Sequence, residues 1–235
     1  MFSRSAHLYD AVYSFKEYAA EAERLRGVIE ARAPEARTLL DVACGTGMHL
    51  AELRRWYEVE GLDLDPQLLA FARERLPNVP LHEGDMTAFD LGRTFDVVTC
   101  LFSSIAYVRT PEGLRAATAV LARHVAPGGL LVVEPWILPE QWKPDFVGAV
   151  FVDEPELKVA RMNAHGGGLA GDVLVMDFQY LVGTPERVEH FIERHEVGMF
   201  TKDQYLDAVR DAGLDAEWDD EGLIGRGLVL GRRGA

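Results

Sequence analysis

The sequence predicts an α/β fold built on a mainly parallel sheet, with an antiparallel segment inserted late in the chain. Three observations carry this. The segment Leu39 to Leu53, LLDVACGTGMHLAEL, is a short apolar run, an acidic residue, a glycine turn and then helical periodicity, the pattern of a strand feeding a helix through a binding loop. Apolar runs and helical patterns then alternate as far as Pro135. From Pro135 to Met199 the alternation stops, and short extended segments follow one another across brief turns.

An amphipathic helix is expected from Phe15 to Arg32, with Tyr18, Ala22, Leu25 and Ile29 on one face, ending before Pro34 and placed as a lid near the glycine loop. The first strand is Thr38 to Val42, its helix Met48 to Trp56, and the second strand Val59 to Leu62. Asp65 caps the next helix, which carries Pro66 in its first turn and runs to Leu76. Strands follow at Val79 to His82 and in TFDVVTCLF, then a helix from Pro111 toward His124, the turn APGG and the buried run LLVVEP. The insert, residues 136–199, reads as GAVFVD, KVARMNA, VLVMDFQYLV and VEHFIERHEVGMF, with HGGGLAGD as turn material. The last helix starts at Thr201 as its cap and ends at Gly213; two strands, near Ala216 and from Gly227 to Leu230, complete a single domain spanning residues 1–235, with residues 1–34 as its lid region.

Composition narrows the function classes. With 24 Lys and Arg against 38 Asp and Glu, the net charge is −14, which disfavours broad contact with a phosphate backbone and so disfavours nucleic acid as a partner. A few local arginines can still bind an anionic small molecule. No apolar run approaches the roughly twenty residues that span a bilayer, and the start MFSRSAHLYD lacks a signal-peptide core, so a cytoplasmic protein without a membrane partner is expected. Two cysteines, Cys44 and Cys100, suggest a reducing interior without a disulfide framework, Cys44 being a packing residue. His190 and His195 are five apart in a strand, hence on opposite faces, and no Cys or carboxylate cluster completes a metal site. DAEWDDE reads as a solvated surface segment.

The cofactor is chosen by spacing. Gly45 and Gly47 let a ligand approach the backbone beside helix-start amides, but the third glycine of a dinucleotide fingerprint is Leu50 here, against an NAD-dependent oxidoreductase. Asp41 precedes the turn. Asp63, in GLDLD, ends the next strand where a carboxylate can accept both hydroxyls of a ribose. Asp85 and Met86, in GDM, follow the third strand, where a carboxylate can accept from an adenine amino group. Together DVACGTG, GLDLD and GDM resemble the S-adenosylmethionine (SAM) dependent methyltransferases. The resemblance implies a Rossmann-like fold with a mainly parallel seven-stranded sheet and an inserted antiparallel β subdomain. Ala43, which stands at the first position of the usual glycine triplet, would line the amino-acid end of SAM with Gly45 and Gly47. Asp63 would bind the ribose, and Asp85 with Met86 the adenine; Asp41, Leu64 and Leu101 complete the implied cofactor site.

A second resemblance spans Tyr9 to Leu228. YDAVYSFKEYAAEA, FSSIAYV, APGGLLVVEPW, HFIERHEVGMFT and GRGL resemble the N,N-dimethyltransferases that complete dTDP-linked amino-deoxysugars such as desosamine and mycaminose, in antibiotic sugar biosynthesis. Related enzymes methylate amines on glycopeptides and other small molecules, and a non-catalytic SAM-binding module is the reading from another class. Transfer from a sulfonium to an amine needs a neutral nitrogen and alignment more than a strong base. The resemblance places His124 and Tyr13 beside the reacting amine, His124 as proton acceptor and Tyr13 as its orienter; taken alone, His124 is a helix C-terminal histidine facing the macrodipole. Ser103 and Ser104 end the fourth strand where substrate should meet cofactor. Arg226, between glycines, suits a pyrophosphate, and Tyr107 and Trp136 could wall the sugar or thymine. The insert either covers the substrate or forms a homodimer interface.

Overall fold

Apolar β-branched runs become the central strands, and the acidic residues that end them mark one edge of the sheet. In the computed structural model the described residues are 4–165, 169–170 (backbone alone) and 172–235; the glycines expected to turn the chain at 166–168 and 171 lie outside them. The principal sheet comprises β1 (Thr38–Val42), β2 (Glu58–Asp63), β3 (Leu81–Glu83), β4 (Phe95–Cys100), β5 (Val125–Val133), β11 (Asp215–Asp219) and β12 (Leu228–Arg232). Their order is β11-β12-β5-β4-β1-β2-β3, and only the pairings of β12 with its two neighbours are antiparallel. The chain moves from β1 outward to β3, then returns to β4 on the other side. A crevice therefore opens at the carboxyl ends of β1 and β4.

The helices flanking this sheet start and stop on recognisable caps. Asp65 accepts from the backbone N–H of Gln67 at 2.9 Å and precedes Pro66 in α4 (Pro66–Arg75). Thr201 and Gln204 form a reciprocal capping box on α6 (Lys202–Asp211), and Gly213 at φ +79° turns the chain out of it. In β5, Phe95 pairs with Val125 but Val97 with Leu130, so the AlaProGlyGly turn is looped out within one strand.

The first long helix, α2 (Tyr18–Arg32), is a core element and not a lid. Its Ala22, Leu25 and Ile29 are fully buried against Leu39, Leu50 and Leu53 of β1 and α3 (Met48–Leu53), because an apolar stripe at that spacing has no other sheet face to cover. The covering role falls to the segment before it. There α1 (Tyr9–Val12) is pinned by Asp10, which accepts from Thr46 Oγ1 at 2.6 Å and pairs with Arg75 of α4.

A second sheet rises over this edge. It contains β6 (Val147–Asp153), β7 (Lys158–Ala164), β9 (Val173–Gly183) and β10 (Val188–Gly198) in the order β10-β9-β7-β6, all antiparallel, with the two-residue β8 (Leu169–Ala170) against β9. Strict alternation gives it one inward face. At one end Val152, Val159, Tyr180, Val182 and Phe191 pack on Leu8 and Val12; at the other Leu174, Met176 and Val197 pack with Ala106, Tyr107 and Trp136. Both attachments flank the crevice. Among the described residues no helix is long and apolar enough to cross a membrane.

Candidate active site

The loop after β1 takes its shape from alternating left-handed residues. Ala43, Gly45 and Gly47 have φ of +61°, +57° and +77°, a conformation that costs an alanine more than a glycine. The two glycines serve different ends. A Cβ on Gly45 would meet no atom within 4 Å, so its backbone is open to a ligand. A Cβ on Gly47 would lie 2.9 Å from Leu76 and 3.3 Å from Ala72, so Gly47 is required by the packing of the α4 region against the loop, and it lines neither of the cavities described next. The close helix–strand contact that a third glycine normally permits is supplied from the strand instead: a Cβ on Gly61 of β2 would lie 2.7 Å from Leu50.

A cavity of about 530 Å³ opens beside this loop, within the range of small-molecule sites. Ala43, Gly45, Asp63, Leu64, Asp85, Met86, Ser104 and Tyr107 line it, together with Tyr9 and Arg109, Arg194 and Glu196. A smaller recess shares Tyr9, Ala43, Gly45 and Ser104 with it and adds Asp41, Leu101, Phe102 and His49. Asp63 closes the loop: its Oδ2 accepts from Gly45 N–H at 2.7 Å and its Oδ1 from Asp65 N–H at 2.8 Å. Burial lifts its carboxyl above the usual range despite those two donors. Asp85 is exposed at the far end, with Oδ1 accepting from Thr87 N–H and Oγ1. An open glycine backbone, a strand-end carboxylate and a second carboxylate beside Met86 in one cavity fit the amino-acid, ribose and adenine parts of SAM.

Asp41 lies below the loop, buried, with Oδ1 accepting from Thr99 Oγ1 at 2.7 Å. Burial pushes its carboxyl up to about 6. A carboxyl that is harder to ionise in the native state costs stability as pH rises from the unfolded value near 4 toward 6, about 3 kcal/mol in all, and the cost is complete above 6. Beside it, Glu21 takes two 2.8 Å bonds from Lys16 Nζ and one of 2.8 Å from His49 Nε2, all three side chains being buried. Lys16 also stands 3.9 Å over the Phe102 ring.

Above the recess, side chains from both sheets form a circuit. Phe102 and Ser103 follow β4 with φ of +51° and +62°, a strained pair held at the site. Phe102 meets Tyr13 edge-on at 5.1 Å; Arg161 of β7 lies 5.0 Å over Tyr13 and 4.9 Å over Phe178 of β9. Phe178 and Trp136 both pack on the cluster of Ala106, Leu174, Met176 and Val197, Arg226 lies 5.4 Å over Trp136, and Arg226 Nη1 donates to Ser103 Oγ at 3.1 Å. Ser103 donates in turn to Pro135 O at 2.8 Å. The circuit thus unites Tyr13, Ser103, Trp136 and Arg226, and Tyr107 joins it through a 2.7 Å bond to His195, whose imidazole burial drives down to about 4.

His124 is not part of this arrangement. It caps α5 (Pro111–Arg123) ahead of β5, and its carbonyl accepts from Phe95 N–H at the start of β4, whereas the crevice lies past the other end of that strand. That places it about 16 Å away along the sheet. Its Nδ1 donates to Val120 O at 2.8 Å, its Nε2 accepts from Leu91 N–H at 3.1 Å, and its ring stacks on Phe89 at 4.3 Å. The histidine is a buried helix cap, as the macrodipole reading has it. Site residues that the sequence reading does not single out are Tyr9, Lys16, Glu21, His49, Phe102, Arg109, Arg161, Phe178, Arg194 and Glu196. Most of them converge from distant segments, so no local pattern marks them. Among the described residues no group of three His, Cys, Asp or Glu is disposed to hold a metal ion.

Comparison with known proteins gives the site its context. A family profile described as "Methyltransferase domain" matches residues 39–129. The chain is 41% identical to dTDP-4-amino-2,3,4,6-tetradeoxy-D-glucose N,N-dimethyltransferase of Saccharopolyspora spinosa, over 97% of this chain and 92% of that one. It is 43% identical to dTDP-3-amino-3,6-dideoxy-alpha-D-glucopyranose N,N-dimethyltransferase of Streptomyces fradiae, over 98% and 91%. Among solved structures, SAM-bound CalS10, an amino pentose methyltransferase from Micromonospora echinaspora involved in calicheamicin biosynthesis, superposes with a TM-score of 0.87 at 41% identity, over 96% of each chain. With full-length similarity of this order and a SAM-shaped site at the sheet's switch point, the chain belongs to the SAM-dependent dTDP-aminosugar N,N-dimethyltransferases.

Proposed function

We propose that this enzyme transfers two methyl groups in succession to the amine of a dTDP-linked amino-deoxysugar during antibiotic sugar biosynthesis. The observation that carries the reading is the circuit of Tyr13, Phe102, Arg161, Phe178, Trp136 and Arg226 beside the cofactor cavity: aromatic faces for a sugar and thymine, with two guanidinium groups for phosphates. Neither arginine has a carboxylate partner among the described residues, so both are available to an anion. SAM supplies a methyl group on a sulfonium, already a good leaving group. The chain's task is then to align and dry the reactants. Asp63 holds the ribose, Asp85 and Met86 the adenine, Tyr13 orients the amine, and Ser103 and Ser104 position the sugar. Two buried free cysteines accord with a reducing, cytoplasmic setting. The insert's outer face carries exposed Val147, Phe151, Leu181 and Ile192, which supports a homodimer formed through that face.

The test is mass spectrometry with SAM and a panel of dTDP-linked 3-amino and 4-amino sugars. Two methyl additions and release of S-adenosylhomocysteine are expected. No product from any member, or equal turnover of amines lacking dTDP, would favour a glycopeptide or other small amine instead.

A pH dependence follows from Asp41. The smaller recess places this carboxyl, pushed up to about 6, beside the end of the cavity assigned to the ammonium group of SAM. A bound cation favours the ionised carboxylate, so SAM affinity should rise with pH below about 6 and level off above. Calorimetric titrations across that range check it. Asp41→Asn should flatten the profile; an unchanged profile in the variant would assign the effect elsewhere.

A further inference from the structure

The carboxylate of Glu134 has no part in the arrangement described so far. It directly follows Val133, the last residue of β5, and is fully buried. Its Oε2 accepts from Phe102 N–H at 2.7 Å, while Oε1 has no hydrogen-bond partner among the described residues. A buried carboxylate with one oxygen unmet is costly to keep, and the cost is recovered where a ligand brings the missing donor. The positive groups that act on it most, Lys16, Arg226 and His49, do not bond to that oxygen. Lys16 and His49 bind Glu21, and Arg226 binds Ser103. Glu134 lines neither cavity but lies directly behind the smaller recess, bonded to Phe102, which lines it. Its bond to Phe102 ties it to the ring facing Tyr13, and Pro135 and Trp136, which follow it, contribute the carbonyl that receives Ser103 and the face that receives Arg226.

We infer that Glu134 holds the ammonium group of the acceptor through Oε1 and takes the proton that must leave the nitrogen before each methyl transfer. The inference rests on the aminosugar reading above. The acceptor R–NH3+ gives a proton to Oε1; the freed nitrogen pair forms the N–C bond as the C–S bond breaks, its electron pair staying on sulfur. The resulting monomethylammonium passes its next proton to Glu134 once the first has gone to solvent, and the second methyl follows in the same way. Burial holds the Glu134 carboxyl above the usual carboxylate range, which suits a group that must accept a proton and release it.

The experiment compares a dTDP-linked aminosugar with its hydroxyl counterpart, bound by the full chain in the presence of S-adenosylhomocysteine. The wild-type protein should prefer the amine by about 10- to 100-fold. Glu134→Gln, which keeps an oxygen for Phe102 N–H, should bind the two sugars alike with an unchanged affinity for S-adenosylhomocysteine. Its kcat should climb about tenfold per pH unit toward the pKa of the free amine, over a range where wild-type kcat has levelled. Equal loss of affinity for both sugars in E134Q overturns the inference and makes Glu134 a prop for the Phe102 turn. So does a wild-type protein that binds both sugars without preference. Failure of the wild-type chain to bind either sugar overturns the aminosugar reading and this inference with it. Should E134Q not fold, the wild-type preference decides: it should fade as falling pH protonates the carboxyl, and a preference constant with pH overturns the assignment.

Discussion

Replacing Asp63 by alanine should weaken SAM binding about 100-fold or more. The carboxylate closes the glycine loop, since it accepts from Gly45 N–H at 2.7 Å and from Asp65 N–H at 2.8 Å while facing the cavity. Hydrogen bonds to a charged group contribute about 1.5–3 kcal/mol each, and alanine removes the two that hold the loop together with those proposed for the ribose. Gly45 at φ +57° would then have an unsatisfied N–H and nothing to fix its turn. Asp63→Asn, which keeps one acceptor oxygen, should cost about tenfold. Calorimetry with SAM and S-adenosylhomocysteine measures both, and a D63A affinity within threefold of wild type would remove Asp63 from the cofactor site.

The legibility of this site in the sequence divides along a physical line. Asp41, Asp63 and the glycine loop could be read because strand, turn and helix start are local, and an acidic residue closing an apolar run has few reasons to be there other than a ligand or a backbone donor. The same logic applies to Glu134 in LLVVEP, a run whose pattern by itself predicts only a buried strand entering the insert. The insert's four strands were legible from alternation, and β6, β7, β9 and β10 lie where those segments stand.

What the sequence does not display is which distant segments meet. Arg161 reaches Tyr13 only because β7 pairs with β9 and the inward face of that sheet lies over the crevice. Glu21 meets His49 only because α2 packs on α3. Two local readings fail for the same reason. An amphipathic helix before the first strand suits a lid or a core helix equally well by periodicity, and the full burial of Ala22, Leu25 and Ile29 decides for the core. Gly47 resembles a ligand-facing glycine by spacing, but its space is taken by Leu76 and Ala72.

His124 provides the sharpest contrast between a motif and its place. Replacing it by alanine should destabilise the fold by about 2–4 kcal/mol while leaving kcat within about twofold of wild type. Three losses add up: the stack on Phe89, the acceptor of Leu91 N–H, and the donor to Val120 O, all around a side chain with almost no solvent exposure. Leu91 and Phe89 belong to the connection leading into β4, so the damage should spread along the amino end of the sheet and not into the crevice. His124→Asn, which can still donate to Val120 O but reaches neither Leu91 N–H nor the Phe89 ring, should recover part of the stability. Urea unfolding and steady-state kinetics on folded protein separate the two effects. A kcat reduced tenfold or more in H124A, at temperatures where the variant is fully folded, would return His124 to the reaction. A proton leaving the amine otherwise has to travel the length of β4 to reach an imidazole already spoken for at both nitrogens, when an unsatisfied carboxylate oxygen stands at the strand's near end.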